Sequence, residues 1–514
     1  MNWSDQQHAI FSYIERGTGS LNVIARAGTG KTTTMVEAAN RTKGRTLLCA
    51  FNKSIADELG TRVTGNPNAT AATLHSVGFA MWRKLRSKNE VDGRKVRGLA
   101  KGIALWDKAH AYVLVDAVEY AKHIGFGIPQ PGFPAIDSTQ AWSDLFDLYD
   151  LWDEVPSDVS PERIVTECIK VYKDSIKLAT EQGRIDFSDM LLLPLMFAQG
   201  KPELYDWVMI DEAQDTSATR RLMALHVART GARVVSVGDP MQCIFYFAGA
   251  TANAMDLLRD ATSATELPLN ITYRCPRSIV ELAKTWVPDY TAHESNGTGI
   301  IRKLPHTRLW SENLEPGRDV ILCRNTRPLV GVARRLRNNG VPCIVEGQSG
   351  KAIIALATKW GTDISIDQLD VILSGHLGSE VEKWNKKDRG DKAEWVAEKV
   401  GILRDLMVDI DGDQPVRKLV QKLEMTFGEG QYQRQDVVRL CTIHRAKGRE
   451  WDRVYLLGRN AYQPSKWAKT EADRDGERNL AYVAVTRTKE ELVEVVVPEP
   501  KKRGDGLSSE WWEE

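Results

Sequence analysis

The 514-residue sequence has no apolar run that approaches the ~20 residues needed to cross a bilayer, which excludes a helical membrane protein. Its first residues, MNWSDQQHAIF, show no basic region followed by an apolar one, so no secretory signal is expected. An excess of charge is missing too, because 69 Lys and Arg face 69 Asp and Glu. A nucleic-acid partner is therefore not announced by bulk charge and would have to meet local basic surface. Cysteine is sparse: the seven present form no CxxC pair and no metal-ligand spacing. That excludes a disulfide scaffold and a cysteine-held zinc, and reads as reduced thiols in a cytoplasmic protein. Neither an internal repeat nor a low-complexity tract is present, so a solenoid is excluded. What remains is a chain long enough for roughly three or four packing units of ~150 residues each.

The stretch ARAGTGKT, Ala25 to Thr32, is where chemistry first shows. The β-branched apolar run Leu21–Ala25 predicts a buried parallel strand, and Lys31–Asn40 predicts a helix. Strand, glycine-rich turn and helix are together the context of a phosphate-binding loop. Gly28 and Gly30 let the backbone from Ala27 through Thr29 to Thr33 turn its N–H groups toward phosphate oxygens, and the helix N-terminus adds partial positive charge. Lys31 supplies a full charge for the β- and γ-phosphates, and Thr32 a hydroxyl for Mg2+. Ala25 replaces the usual first glycine, at a strand end where a methyl group is tolerated. The run YDWVMIDEAQD strengthens the reading. Val208–Ile210 predicts a strand that ends in Asp211, for the Mg2+ shell, and Glu212, to accept a proton from the attacking water.

DEAQD together with ARAGTGKT resembles the superfamily 1 helicases of the UvrD/Rep/PcrA family, and further stretches follow that family's motifs in order. WSDQQHAI resembles its glutamine motif, which implies that Gln7 reads adenine. LLCAFNKSIADEL and ATLHSVGF resemble segments that line the single-strand path, which implies Phe51, Asn52 and His75 beside DNA. VGDPMQCIFYFAGA resembles the third motif, where Gln242 would sense the γ-phosphate and Phe247 would stack on a base. In NITYRCP, Tyr273 would stack on adenine and Arg274 would reach the γ-phosphate. LCTIHRAKGREWDRV implies Thr442 and His444 near DNA phosphate and Glu450 at the ribose. In ERNLAYVAVTRTKEEL, Arg487 would be the second arginine finger. The resemblance thus implies catalytic roles for Lys31, Glu212, Gln242, Arg274 and Arg487, with ATP and Mg2+ as cofactors. The sequence departs from the family at Ala248 and Thr33, where arginines often stand, at Ala50 in place of a stacking phenylalanine, and at Arg449 and Trp451 around Glu450.

Apolar strand-like runs form two sets. The first is Leu21–Ala25, Thr46–Phe51, Val208–Ile210 and Val234–Val237; the second is Val320–Arg324, Val341–Val345, Val437–Thr442, Val454–Leu457 and Leu492–Val497. Strands alternating with helices predict an α/β protein with parallel sheets. The resemblance implies two RecA-like P-loop parallel-sheet cores, each interrupted by a mainly helical insertion. The first core is expected at 1–78 and 184–271, with its insertion at 79–183. The second is expected at 272–349 and 433–514, with a short insertion at 350–432. In the first insertion, Arg83–Lys101 carries eight basic residues against two acidic ones, and is a candidate DNA-backbone surface or a solvated helical face. Asp137–Val155 sets acidic residues against a stripe of Leu145, Phe146, Tyr149 and Trp152, which predicts packing rather than chemistry.

Lys31 early, Arg274 mid-chain and Arg487 near the end imply a site completed by two halves, so that nucleotide turnover drives domain motion. The expected function is an ATP-dependent 3′-to-5′ DNA helicase and single-strand translocase. It is expected to act on single-stranded and tailed duplex DNA as a monomer or transient dimer, with a protein partner open and no membrane association. The alternative is a DNA-stimulated ATPase that binds strands or displaces proteins with little unwinding. A P-loop kinase would leave the distant arginines unexplained, and a fused nuclease is not expected after the last motif. Repair, replication, recombination, phage and defence roles all fit the sequence.

Overall fold

The computed structural model describes residues 3–50, 52–103, 108–149, 151–152, 155–156, 159–197, 204–244, 253–346, 349–386, 390–427, 436–465, 468, 471–498, 501–502 and 508–509. The chain divides into two compact units, residues 1–270 and 271–514.

The strands of the first unit are β1 (Leu21–Ala25), β2 (Thr46–Ala50), β3 (Ala69–Thr73), β4 (Glu90–Val91), β5 (Arg184–Ile185), β6 (Tyr205–Ile210), β7 (Ala228–Gly238) and β8 (Thr265–Leu269). Six of them form a parallel sheet in the order β3-β2-β6-β7-β1-β8, and β4 pairs with β5. Inner parallel strands are covered on both faces, which is why β1, β2, β6 and the end of β7 read as apolar runs. The two edges, β3 and β8, are partly exposed and escaped prediction. Their sequences, ATAAT and TELPL, lack such a run, and Pro268 is tolerated because β8 lies at an edge.

Helices Leu74–Leu85, Lys95–Ile103, Lys108–Ile124, Thr139–Leu148, Pro161–Lys177 and Asp189–Phe197 fill the span before β6. Ser138 and Ser160 start two of them by accepting from the backbone N–H groups of Ala141 and Arg163. One hydrophobic cluster runs from Leu47, Val208 and Ile210 of the sheet through Trp82, Val118 and Trp142 to Tyr172. The insertion therefore shares its core with the sheet. The acidic helix stops at Leu148, with Leu145 and Phe146 buried. Tyr149 stacks on Tyr120 at 3.9 Å between centroids, and Trp152 lies 4.5 Å from Phe146, so this stripe is packing as expected.

The second unit contains β9 (Ile271–Thr272), β10 (Thr291–Ala292), β11 (Ile300–Pro305), β12 (Asp319–Cys323), β13 (Cys343–Glu346), β14 (Val438–Thr442), β15 (Trp451–Leu457), β16 (Thr488–Val496), β17 (Lys501–Lys502) and β18 (Ser508–Ser509). Its parallel sheet has the order β11-β16-β15-β12-β14-β13. Again the unpredicted strand, β11, is an exposed edge. Helices Ser349–Ala357, Ile366–Lys386, Gly390–Met407 and Val416–Phe427 form the second insertion. Leu373, Leu403 and Leu423 of that insertion join Ile321, Leu440, Tyr455 and Val493 of the sheet in one cluster. Polar clamps reinforce the join. Arg327 holds buried Asp405 by two 3.0 Å bonds, and Glu398 accepts from the N–H groups of Thr326 and Arg327 at 2.8 and 2.9 Å. All seven cysteines are buried free thiols. Among the described residues no helix is long and apolar enough to cross a membrane.

Candidate active site

The phosphate loop begins where β1 ends. Ala25 is the last residue of that strand, pairs with Leu269 and is fully buried. An extended residue places no demand for glycine. The demand falls instead on Gly28 and Gly30, whose φ angles are 66° and 77°, a region that strains any residue with a Cβ. Gly30 is the N-cap of helix Lys31–Arg41 and offers no side-chain cap, which leaves first-turn N–H groups for an anion. Thr29 closes the loop by donating to the Arg26 carbonyl at 2.9 Å, and Ala27 is buried within it. The Lys31 ammonium folds over the loop, 3.4 Å from the carbonyls of Ala25 and Arg26. Gln7 packs against the next turn of helix: its Nε2 donates to Thr34 Oγ1 at 2.9 Å, and its Oε1 accepts from Ser4 N at 2.9 Å in a capping box. The amide's second hydrogen remains for a base edge. Arg62 donates to Thr33 Oγ1 at 3.1 Å. A guanidinium thus reaches the position where an arginine often stands, from 29 residues away.

β6 delivers the acids. Thr32 Oγ1 donates to Asp211 Oδ2 at 3.2 Å, a pair of hard oxygen donors that suits Mg2+. Burial, together with Glu212 beside it, pushes the Asp211 carboxyl up to about 7; a bound divalent cation would hold it ionised. Glu212 has φ 49°, one of two non-glycine residues in the left-handed region among the described residues, and strain of this kind gathers at functional sites. Its Oε2 accepts from Gln214 Nε2 at 2.5 Å. Gln214 Oε1 accepts from Asp239 N at 3.1 Å. The buried Asp239 carboxylate then accepts from Gln242 Nε2 at 2.7 Å and from Arg26 at 3.3 Å. Gly238 permits this approach, since a Cβ there would stand 2.3 Å from Gln214 Oε1. Asp239 therefore links the phosphate loop, the acids and Gln242. Neither Asp239 nor Arg26 nor Gln214 is expected from sequence; their only signal is a place inside VGDPMQCIFYFAGA, ARAGTGKT and DEAQD.

A second cluster lies in the second unit. Arg274 pairs with Glu450 and donates to the Thr486 carbonyl at 3.3 Å. Arg487 is buried, donating to the carbonyls of Val483 at 3.0 Å and Arg449 at 3.2 Å. Burial and nearby Arg274 lower its pKa to about 10. Tyr273 is 40% exposed and its ring lies 4.7 Å from that of His293. Tyr273, Arg274, Asn296 and Gly299 line a cavity of about 500 Å³, large enough for a nucleobase. The structure thus gathers Gln7, Ala27–Thr33, Asp211, Glu212 and Gln242 in one unit, and Tyr273, Arg274, Glu450 and Arg487 in the other.

The residues expected beside DNA separate. Asn52 is exposed and caps helix Lys53–Arg62 by accepting from Ile55 N at 2.9 Å. Thr442 ends β14 and starts the helix Ile443–Ala446, which carries His444; burial and Arg324 push the His444 imidazole down to about 4. Half-buried His75 lines a small, partly open cavity with Asp211 and Glu212. Phe51 and Phe247 lie outside the described residues. The basic stretch also separates. Lys95 is buried and paired with Asp186 and Asp189, and Arg86 donates to the carbonyls of Thr180 and Glu181. Arg94, just before the helix Lys95–Ile103, and Arg97 and Lys101 within it remain exposed. Tyr112, 50% exposed, lies beside Arg97, whose guanidinium is 5.5 Å from its ring.

The first unit is thus a P-loop nucleotide-binding fold with an acidic pair at the end of β6, two strands away from β1 in the sheet. The profile of the UvrD/REP helicase N-terminal domain matches residues 3–262, and that of the UvrD-like helicase C-terminal domain matches residues 366–497. The chain belongs to the UvrD/Rep helicase family, and its two parallel-sheet units are RecA-like cores. It is similar to the F-box DNA helicase protein 1 of Schizosaccharomyces pombe, 24% identical over 511 residues that cover 92% of this chain and 55% of the relative. It is similar to the ATP-dependent DNA helicase UvrD2 of Mycobacterium tuberculosis, 23% identical over 567 residues, covering 92% and 76%. The ATP-dependent DNA helicase PcrA of Leuconostoc citreum is 22% identical over 321 residues, covering 58% and 40%. The chain spans about half the length of several of the curated relatives it matches.

Proposed function

We propose that the chain hydrolyses ATP to move 3′-to-5′ along single-stranded DNA and to separate duplex. The observation that carries the reading is the linked set Arg26–Asp239–Gln242 and Asp239–Gln214–Glu212. A phosphate loop, an acid pair and a γ-phosphate-sensing glutamine that share one hydrogen-bonded aspartate can pass a change at the nucleotide to the segment after Gln242. In this reading Gly28, Gly30 and Lys31 bind the phosphates, Gln7 and Tyr273 hold the adenine, and Glu450 the ribose. Glu212 accepts a proton from water, and Arg274 and Arg487 stabilise charge on the transferred phosphoryl group. Thr32 and Asp211 would hold Mg2+, which when bound would supply positive charge to the phosphate oxygens. Asn52, Thr442 and His444 contact the strand, and Arg94, Arg97 and Lys101 contact its phosphates.

The test is ATP turnover and unwinding by the purified chain on duplexes with a 3′ or a 5′ single-stranded tail. Strand-stimulated turnover with unwinding from the 3′ tail is expected. Equal unwinding from both tails, or unwinding from the 5′ tail alone, refutes the polarity. One observation favours a second reading. The described helices of the second insertion share a core with its sheet. A strand-stimulated ATPase that does not unwind by itself would give turnover without strand separation in the same assay.

A further inference from the structure

His75, half-buried and expected against the strand, lines a small, partly open cavity of the first unit. The other walls come from Cys49 and Ala50 at the end of β2, from Asp211 and Glu212 after β6, and from Asp215 and Arg220. About 20 Å³ is open to a water centre there, enough for one water molecule. We propose that His75 is a positioning residue for Glu212: through one water in this cavity it steadies the carboxylate that accepts the proton during ATP hydrolysis. The proposal rests on the ATPase reading and adds to it the route by which strand binding reaches the chemistry.

Three observations carry it. Glu212 Oε2 is bonded to Gln214 at 2.5 Å, while the Glu212 backbone sits in the strained left-handed region at φ 49°. A base in that conformation needs its side chain fixed to keep one orientation. The cavity brings a polar ring to the same residue. An imidazole offers a ring N–H donor and a ring nitrogen acceptor from one rigid side chain. Such a group can orient a carboxylate-bound water between itself and Glu212.

The third observation is where His75 stands in the chain. It is the second residue of helix Leu74–Leu85, directly after edge strand β3, and Thr73 starts that helix by accepting from Ser76 N at 3.1 Å. Ser76 is exposed. A strand lying against this exposed helix start would move His75 relative to Glu212. The same short segment therefore has an outer face for DNA and an inner residue for catalysis.

The experiment compares wild type, His75→Ala and His75→Gln by steady-state ATP turnover with and without an oligothymidine strand, and by the anisotropy of a labelled strand. His75→Ala is expected to lower strand-stimulated kcat by about tenfold or more, while KM for ATP and strand affinity stay within about twofold. His75→Gln keeps a donor and an acceptor and should recover part of that loss. Should His75→Ala fail to fold, His75→Gln against wild type carries the same kcat-against-KM comparison. A loss of strand affinity with saturating kcat unchanged would make His75 a DNA contact and overturn the proposal, as would unchanged behaviour of both variants. If wild-type turnover ignores the strand, the motor reading itself falls, and the coupling with it.

Discussion

Lys122 offers the sharpest test of how the first unit is held together. It lies in the helix Lys108–Ile124, fully buried, with its ammonium 2.5 Å from Asp186 and 2.8 Å from Asp189. Lys95, also buried, pairs with the same two carboxylates. Two cations thus balance two anions in a buried setting, beside a Glu119 carboxyl that burial pushes up toward its neutral form. Burial opposes ionisation of Asp186, yet Lys122 and Lys95 hold it from 3.8 down to about 2. Lys122→Met removes one cation and leaves two carboxylates sharing Lys95. Breaking a buried pair from one side costs about 3–5 kcal/mol, because a buried charge is left uncompensated. Hydrogen exchange over residues 108–124 and 184–197 reads that loss locally. With roughly 1.4 kcal/mol per factor of ten, opening should become about a hundredfold or more frequent. Adding Asp189→Asn restores the balance and should recover part of the protection, a coupling that a double-mutant cycle measures. An acceleration below about tenfold for Lys122→Met, or full additivity of the two changes, would refute the argument that this cluster works as a balanced charge set. The pH dependence has a fixed sign. Since the folded pKa of Asp186 is depressed, its contribution is present above about 4 and lost as pH falls toward about 2.

Other outcomes follow from the site. Glu212→Gln should retain ATP binding and lose turnover by about 10²–10⁴, the contribution of a general base; normal turnover would remove Glu212 from that role. Tyr273→Ala should weaken ATP binding by about 1–3 kcal/mol, the range for a base stacked on an aromatic ring, with little change in kcat. Equal affinity of wild type and variant in a nucleotide titration would place the adenine elsewhere. Replacing Arg94, Arg97 and Lys101 by glutamine should flatten the salt dependence of strand binding, by up to about 0.7 in log–log slope for each phosphate no longer neutralised. An unchanged slope would return that face to solvent.

The inner strands and the phosphate loop were legible because their constraints are local. An inner parallel strand must be apolar throughout, and a left-handed turn such as Gly28–Gly30 excludes side chains. The edges β3, β8 and β11 were not legible, since half-exposed strands carry no continuous apolar run. Lys95 was misleading for a related reason. Its neighbours in sequence are solvent-facing arginines, and only Asp186 and Asp189, about ninety residues later, reveal a buried partner.

Residue order alone set the chemistry available: a loop for phosphate, an acid pair at a strand end, and an ordered set of motifs in two α/β halves. These follow from backbone geometry and residue type within a few positions. Packing in three dimensions chose which groups meet. It joined Arg26 to Asp239 across 213 residues, placed His75 at a cavity shared with Glu212, and set Lys95 inside the fold. Such pairings depend on which surfaces lose their water when distant segments pack, and no short-range pattern encodes that.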